Sequence, residues 1–369
     1  MKRIGNIYEK ITLLGNIESA IMKASKGKKQ RKKVEKILDY PTFYALQIQK
    51  MLKEKTYKPS PYYEMTILDG VRKKKRTIFK PQFYPDQVIH WALMLRLEPI
   101  LLKSMYELCC ASIKGRGIHY GKRYIEKILV NDRKYTKYCL KLDIRHFYPS
   151  IDKNILKQKF RKKIKDKDTL WLIDTIIDSS ESGVPIGNYT SQWFANFYLE
   201  DLDHYIKEQL KVKYYVRYMD DMVLFSNNKK ELHKINKKIA EFLQKEHLTI
   251  KDNWQLFKTE SRPLDFLGYR FNRDSETKEV YTTLRKSNFL RFKRRIKKIY
   301  KKSLRNIEQN KPKYSFKDAC AVMSIMAWVK KSDGYGYLNK YILNYIDIAD
   351  CKEVIRYETR KRQQTIKKL

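Results

Sequence analysis

An α+β fold is predicted, on three observations. Tyr214–Phe225 holds two runs of β-forming residues around the adjacent acids Asp220 and Asp221, a tight-hairpin pattern. Residues 138–144, Tyr-Cys-Leu-Lys-Leu-Asp-Ile, read as a second buried strand that ends in an acid, Asp143. Between and beyond these runs lie long helical periodicities crowded with Lys and Arg.

With 369 residues the chain can bury a large core and hold two or three domains. Its 81 basic against 41 acidic residues leave a net charge of +40. Self-repulsion of that size favours a polyanionic partner, and nucleic acid leads because phosphate neutralisation supplies most non-specific affinity. A membrane surface ranks behind, since no 18-residue apolar run and no signal peptide occurs. The five cysteines are odd in number and lack metal-ligand spacing, so reduced thiols in a cytoplasmic protein are expected.

Residues 1–58 are expected to form a basic helical extension in which Ile7, Ile11 and Leu14 share a face; the charge at 26–36 suits a solvated face or an RNA-contacting arm. Pro59-Ser60-Pro61 breaks this segment from residues 59–283. There, Asp69-Gly70 marks a hairpin turn, and Pro85 is expected to open a helix that ends near Pro99. Gly115-Arg116-Gly117 is a glycine-punctuated turn, equally an ordinary loop or a phosphate contact. Gly183-Val184-Pro185-Ile186-Gly187-Asn188 leads into a helix starting near Thr190. A helix over 229–246, a strand pair over 248–257 and a further β unit over 264–271 follow. Residues 284–369 are expected to be helical and basic with a frayed tail from Arg356. Eleven basic residues and no acid occupy 285–305, where Phe289, Phe292, Ile296 and Ile299 form one apolar stripe. Arg291, Arg294, Arg295 and Lys298 would then line a positive rail for nucleic acid.

Asp143 and Asp220/Asp221 can meet if their strands are neighbours in one sheet. Three converging carboxylates suit a hard cation such as Mg²⁺. Two such ions about 4 Å apart serve in-line phosphoryl displacement. Arg76 and Arg116 could hold a triphosphate. Nucleotidyl transfer on a nucleic acid is the chemistry these features describe; a nuclease would need no triphosphate clamp.

Three ordered motifs carry a resemblance: Leu142-Asp143-Ile144-x-x-Phe147-Tyr148-x-x-Ile151; Gly183-x-Pro185-x-Gly187-x-x-x-Ser191-Gln192-x-x-Ala195-Asn196; and Tyr218-Met219-Asp220-Asp221. Their succession resembles the palm motifs of reverse transcriptases, and Asp265-Phe266-Leu267-Gly268-Tyr269 looks like the primer-grip turn that follows them. The resemblance implies a right-hand polymerase, with fingers and palm over 59–283 and a helical thumb and tail over 284–369. It implies an RNA-directed DNA polymerase that uses two Mg²⁺ ions, dNTPs, a template RNA and the RNA/DNA hybrid. Residue by residue, Asp143 and Asp220 match the metal-bridging acids, Asp221 their adjacent partner, and Ile144 a backbone carbonyl ligand. Tyr148 matches the aromatic gate against a ribose 2′-OH, beside Phe147. Arg76 and Arg116 resemble triphosphate ligands, with Lys73, Lys74 and Lys75 as competitors. Ile186, Gly187 and Gln192 fall in the motif near the nucleotide.

Ile186 and Gln192 depart from the Gln and Pro of retroviral and group II intron enzymes. The Ile-Gly-x-x-x-Ser-Gln form is similar to that of diversity-generating retroelements, which make adenine-mutagenised cDNA with a small basic accessory protein. Antiviral, defence-associated enzymes with a dedicated non-coding RNA share it and are the alternative; a non-catalytic RNA-binding scaffold is the alternative of another class. No maturase-like, endonuclease or RNase H segment is expected after the thumb.

Overall fold

The computed structural model describes residues 3–69, 74–274, 276–277 and 279–367. The turn expected at Asp69-Gly70, and Lys73 beside it, falls outside them, as does the Lys74 side chain. The chain divides into two compact units, one of residues 3–69, 74–117 and 138–256, the other of 118–137 and 257–367.

The first unit contains β1 (Tyr63–Asp69) and β2 (Lys74–Lys80), paired antiparallel with Ile67 opposite Arg76. It also contains β3 (Tyr138–Asp143), β4 (Tyr214–Tyr218) and β5 (Asp221–Ser226). β5 is the central strand of these three, antiparallel to both neighbours. Leu140, Leu142, Met222, Leu224 and Tyr215 are fully buried on this sheet, each apolar side chain contributing about 1.5–3 kcal/mol. Such burial on a short strand outweighs the weak local preference of Leu and Met for β structure. A further strand, β6 (Gln255–Lys258), completes the order β4-β5-β3-β6.

Helices pack around this sheet. Leu14–Ser25 lies against both Val88–Leu102 and Pro41–Lys53, burying Ile17, Ala20 and Ile21. The predicted stop at Pro99 does not occur: the helix runs on to Leu102. Proline forfeits only one backbone donor so close to the end, and burial of Leu97 and Leu101 holds the last turn in place. Pro85 opens the helical run as expected: Tyr84 keeps an extended backbone, and the wider turn from Pro85 to Gln87 continues into Val88–Leu102. Asp152, Asp166 and Asn228 cap their helices by accepting backbone N–H bonds, which explains sharp starts at Lys153, Lys167 and Lys229.

The second unit holds β7 (Leu264–Phe266), β8 (Tyr269–Arg273) and β9 (Val280–Leu284) in an antiparallel meander. Leu267 and Gly268, both at positive φ, form the two-residue turn between β7 and β8. Helices Lys286–Glu308 and Phe316–Lys330 bury Phe292, Ile296, Ile299, Val322 and Val329. The tail expected to fray from Arg356 instead lies within a helix, Ile348–Lys367. All five cysteines are free, four of them buried. Among the described residues no helix is long and apolar enough to cross a membrane.

Candidate active site

The register of three strands builds the site. Tyr218 faces Asp221 across β4 and β5, so the two-residue turn consists of Met219 and Asp220, and Asp221 is already the first residue of β5. The expectation of both acids at the tip is thereby refined to one. Met219 adopts a left-handed φ of 58°, the backbone form such a turn demands. Across the other edge of β5, Asp143 faces Asp221 at the end of β3. The Ile144 amide donates to the Asp220 carbonyl at 3.3 Å, tying the hairpin tip to the residue after Asp143.

The Asp143 and Asp220 carboxyls lie close enough for the charge of one to act on the other. Burial, and then the charge of Asp143, push the Asp220 carboxyl from 3.8 up to about 6. The Asp221 carboxylate lies 3.6 Å from the Lys141 ammonium. No group of three or more His, Cys, Asp or Glu placed to hold a metal ion occurs among the described residues. The donor chemistry nonetheless fits a hard cation. Two carboxylates set close together repel, and a divalent ion between them relieves that repulsion.

Residues 249–251 supply a cation, Lys251, which the sequence places between the two expected strands without a role. The predicted strand pair over 248–257 is reduced to β6 plus a single bridge, Ile250 opposite Ile144. Lys251 donates its amide to the Asp143 carbonyl at 2.8 Å and its ammonium to the Asp143 carboxylate. Lys251 was unremarkable in a chain with 81 basic residues; only the bridge at Ile250 brings it to Asp143.

Asp220 opens onto a cleft of about 970 Å³, lined also by Arg76, Ile144, Phe147, Tyr148, Ile186 and Lys251. Tyr148 is half-buried, and its phenol is raised well above its usual range by burial and by Asp220. Arg76 is exposed at the cleft wall, close enough to Tyr148 to act on it electrostatically. Phe147 is buried behind Tyr148, the two rings 5.6 Å apart edge to face.

The loop over 183–188 is pressed between β2 and the short helix Phe147–Ser150. The Ile186 carbonyl accepts the Phe79 amide at 2.8 Å, and the Val184 amide donates to the Tyr148 carbonyl at 3.0 Å. Its glycines have a strict reason. A Cβ on Gly183 would stand 2.0 Å from the Tyr148 carbonyl oxygen, and one on Gly187 2.2 Å from that of Phe79. Both also sit at positive φ, +53° and +134°.

Other candidates lie elsewhere. Arg116 does not line the cleft; its guanidinium donates to the Tyr106 carbonyl at 2.7 Å. Gln192 is exposed on the helix Tyr189–Tyr198, also outside the cleft lining. In the second unit, Arg291, Arg294 and Lys298 are exposed on the helix Lys286–Glu308, whereas Arg295 is half-buried and donates to Asp318 at 2.9 Å.

Comparison with known proteins bears on the family of the chain. A family model described as "Reverse transcriptase (RNA-dependent DNA polymerase)" matches residues 71–271, more than half of the chain. Among curated relatives, the Retron Ec73 reverse transcriptase of Escherichia coli is 30% identical over 175 residues, covering 43% of this chain and 52% of its own. The Retron Se72 reverse transcriptase of Salmonella heidelberg is 25% identical over 197 residues, 52% of this chain and 49% of its own. The group II intron-encoded protein LtrA of Lactococcus lactis is 28% identical over 173 residues, 44% of this chain and 28% of its own. The chain thus matches about half the length of the retron relatives. Its mixed helices and antiparallel sheet are those of a right-hand polymerase, and the chain belongs to the reverse transcriptase family.

Proposed function

We propose that the protein is an RNA-directed DNA polymerase that extends a primer 3′-hydroxyl along an RNA template. The observation that carries this is the strand register that sets Asp143 beside the Met219–Asp220 turn, with Asp220 lining a cleft walled by Arg76 and Tyr148. Asp143, Asp220 and the Ile144 carbonyl are the groups that would hold divalent ions. When bound, such ions activate the attacking hydroxyl and neutralise charge on the leaving pyrophosphate. Arg76, with Lys75 beside it on the cleft wall, would bind the triphosphate. Tyr148 would close the space that a ribose 2′-OH needs, selecting dNTPs. Lys251 balances Asp143 while the cleft is unliganded, holding the β3 end in place. Fingers and palm over 59–283 and a thumb over 284–369, gripping the hybrid through Arg291, Arg294 and Lys298, remain the division we propose.

Purified protein given a primed RNA template, dNTPs and Mg²⁺ should synthesise cDNA, and Asp143→Ala should reduce the rate at least about 10³-fold. RNA binding without incorporation by the wild type would leave only the scaffold reading.

On subclass, two readings have support. Matches to two retron reverse transcriptases favour a defence-associated enzyme with a dedicated non-coding RNA. Ile186, in the cleft wall, is what supports error-prone copying in a diversity-generating retroelement, with an accessory protein as partner. A branched apolar side chain there offers no hydrogen bond with which to reject a misshapen base pair. On that reading Ile186→Gln should lower misincorporation opposite template adenine severalfold, measured by sequencing the cDNA. An unchanged error spectrum would remove its support.

A further inference from the structure

Beneath the hairpin that carries Asp220 lies a charged group the proposed chemistry does not use. Arg217, in β4, is fully buried, with 0% of its surface exposed. A guanidinium has five N–H donors, and burying any of them unpaired is costly. Here all five find acceptors. Nε donates to Asp203 Oδ1 at 2.7 Å and Nη2 to Asp203 Oδ2 at 2.5 Å, a bidentate pair with a carboxylate that is itself fully buried. Nη2 also donates to the Asn196 carbonyl at 3.3 Å, and Nη1 to Asn196 Oδ1 at 3.1 Å. The fifth bond runs from Nη1 to the Met219 carbonyl at 3.1 Å.

That last bond is the informative one. Met219 is the left-handed residue of the turn, a conformation that costs a non-glycine residue about 1 kcal/mol or more. The turn has two carbonyls: Met219's is held by Arg217 from below, and Asp220's by the Ile144 amide at the end of β3. Asp220 is therefore clamped on both sides, and its carboxyl is delivered to Asp143 by backbone geometry. The clamp is anchored in turn. Asp203 also accepts from the Tyr215 hydroxyl at 2.7 Å, and the Asn196 amide donates to the Ala111 carbonyl at 2.9 Å. One face of β4 and two helices of the first unit thus converge on one guanidinium.

We propose that Arg217 is a positioning residue for Asp220: it fixes the Met219–Asp220 turn, and with it the spacing of the two carboxylates that would receive the cation. This rests on the polymerase reading for its consequence, but not for its geometry. Lysine could keep the charge pair with Asp203, yet its single nitrogen cannot reach Asp203, Asn196 and Met219 together.

Arg217→Lys is the test, with Arg217→Met/Asp203→Asn as a second variant that removes both buried charges in case the first folds poorly. Three readouts are needed in either variant whose far-ultraviolet circular dichroism matches the wild type. Hydrogen exchange at residues 219–221 should quicken at least about 10-fold relative to the rest of β4 and β5. Mn²⁺ binding, followed by electron paramagnetic resonance, should weaken at least about 10-fold. In primer extension kcat should fall about 10- to 100-fold, while KM for dNTP stays within about twofold. Unchanged exchange at the tip together with unchanged Mn²⁺ affinity would overturn the positioning role, whatever the activity. Wild-type protein that binds Mn²⁺ but never extends a primer would overturn the polymerase reading and leave the clamp standing.

Discussion

Asp220→Asn should abolish primer extension and at the same time make the protein more heat-stable in EDTA at neutral pH. The two effects have one cause. In the fold the Asp220 carboxyl is pushed up to about 6 from 3.8 by burial and by Asp143, so its charged form is disfavoured relative to the unfolded chain. Between those two values the folded protein holds a proton that the unfolded protein has released. Stability from this group is accordingly present at low pH and lost as the pH rises from about 4 through 6. At pH 7 the wild type carries the whole penalty; asparagine carries none of it. Because Asp220 is only half-buried, solvent screens part of the repulsion, and a gain of about 2–4 °C in Tm is expected by calorimetry. The same variant should lose at least about 10³-fold in extension rate, having surrendered a carboxylate that would hold the cation. Added Mg²⁺ should raise the wild-type Tm and leave that of the variant nearly unmoved. Equal Tm in EDTA across pH 4–8 would mean that the two acids do not strain one another.

Gly187→Ala should be strongly damaging, although it adds only one methyl group beside the cleft wall. Its Cβ would stand 2.2 Å from the Phe79 carbonyl oxygen, a backbone atom that cannot swing aside, and its φ of +134° is closed to alanine. The loop must then leave β2, breaking the Phe79–Ile186 hydrogen bond and moving Ile186 away from the cleft. A loss of about 2–4 kcal/mol in stability is expected, with extension reduced at least about 10-fold. Gly115→Ala supplies the control. Gly115 also has a positive φ, +80°, but a Cβ there meets nothing within 4 Å, so only the conformational cost of about 1 kcal/mol applies. Similar urea midpoints for the two variants would show that contact with β2 does not constrain the loop.

Much of this site was legible in the sequence because its parts are local. Asp220 between two apolar runs reads as a hairpin tip, and Asp143 at the end of Tyr138–Ile144 reads as a strand terminus, each from a run of β-forming residues a few residues long. The two glycines of the 183–188 loop announce a constrained backbone, though not what constrains it. Arg116 illustrates the limit. Its glycine-flanked turn looked fit for a phosphate, yet the side chain spends its bond on the Tyr106 carbonyl, a choice set by packing. The helix through Pro99 marks another, since burial of Leu97 and Leu101 outweighs a local stop signal.

By itself the sequence determined the strands, the acids at their ends, the basic character of the chain and the order of motifs that places it in its family. Those are properties of short windows, whose periodicity and charge are written into neighbouring residues. Tertiary structure alone decided that Lys251 sits on Asp143, that Arg217 clamps Met219 and that the 183–188 loop leans on β2. Each depends on residues distant in the chain, since Arg217 reaches Met219 only because Asp203 and Asn196 hold its guanidinium. No local pattern encodes them, because which polar groups must find one another is fixed only once the sheet has excluded water around them.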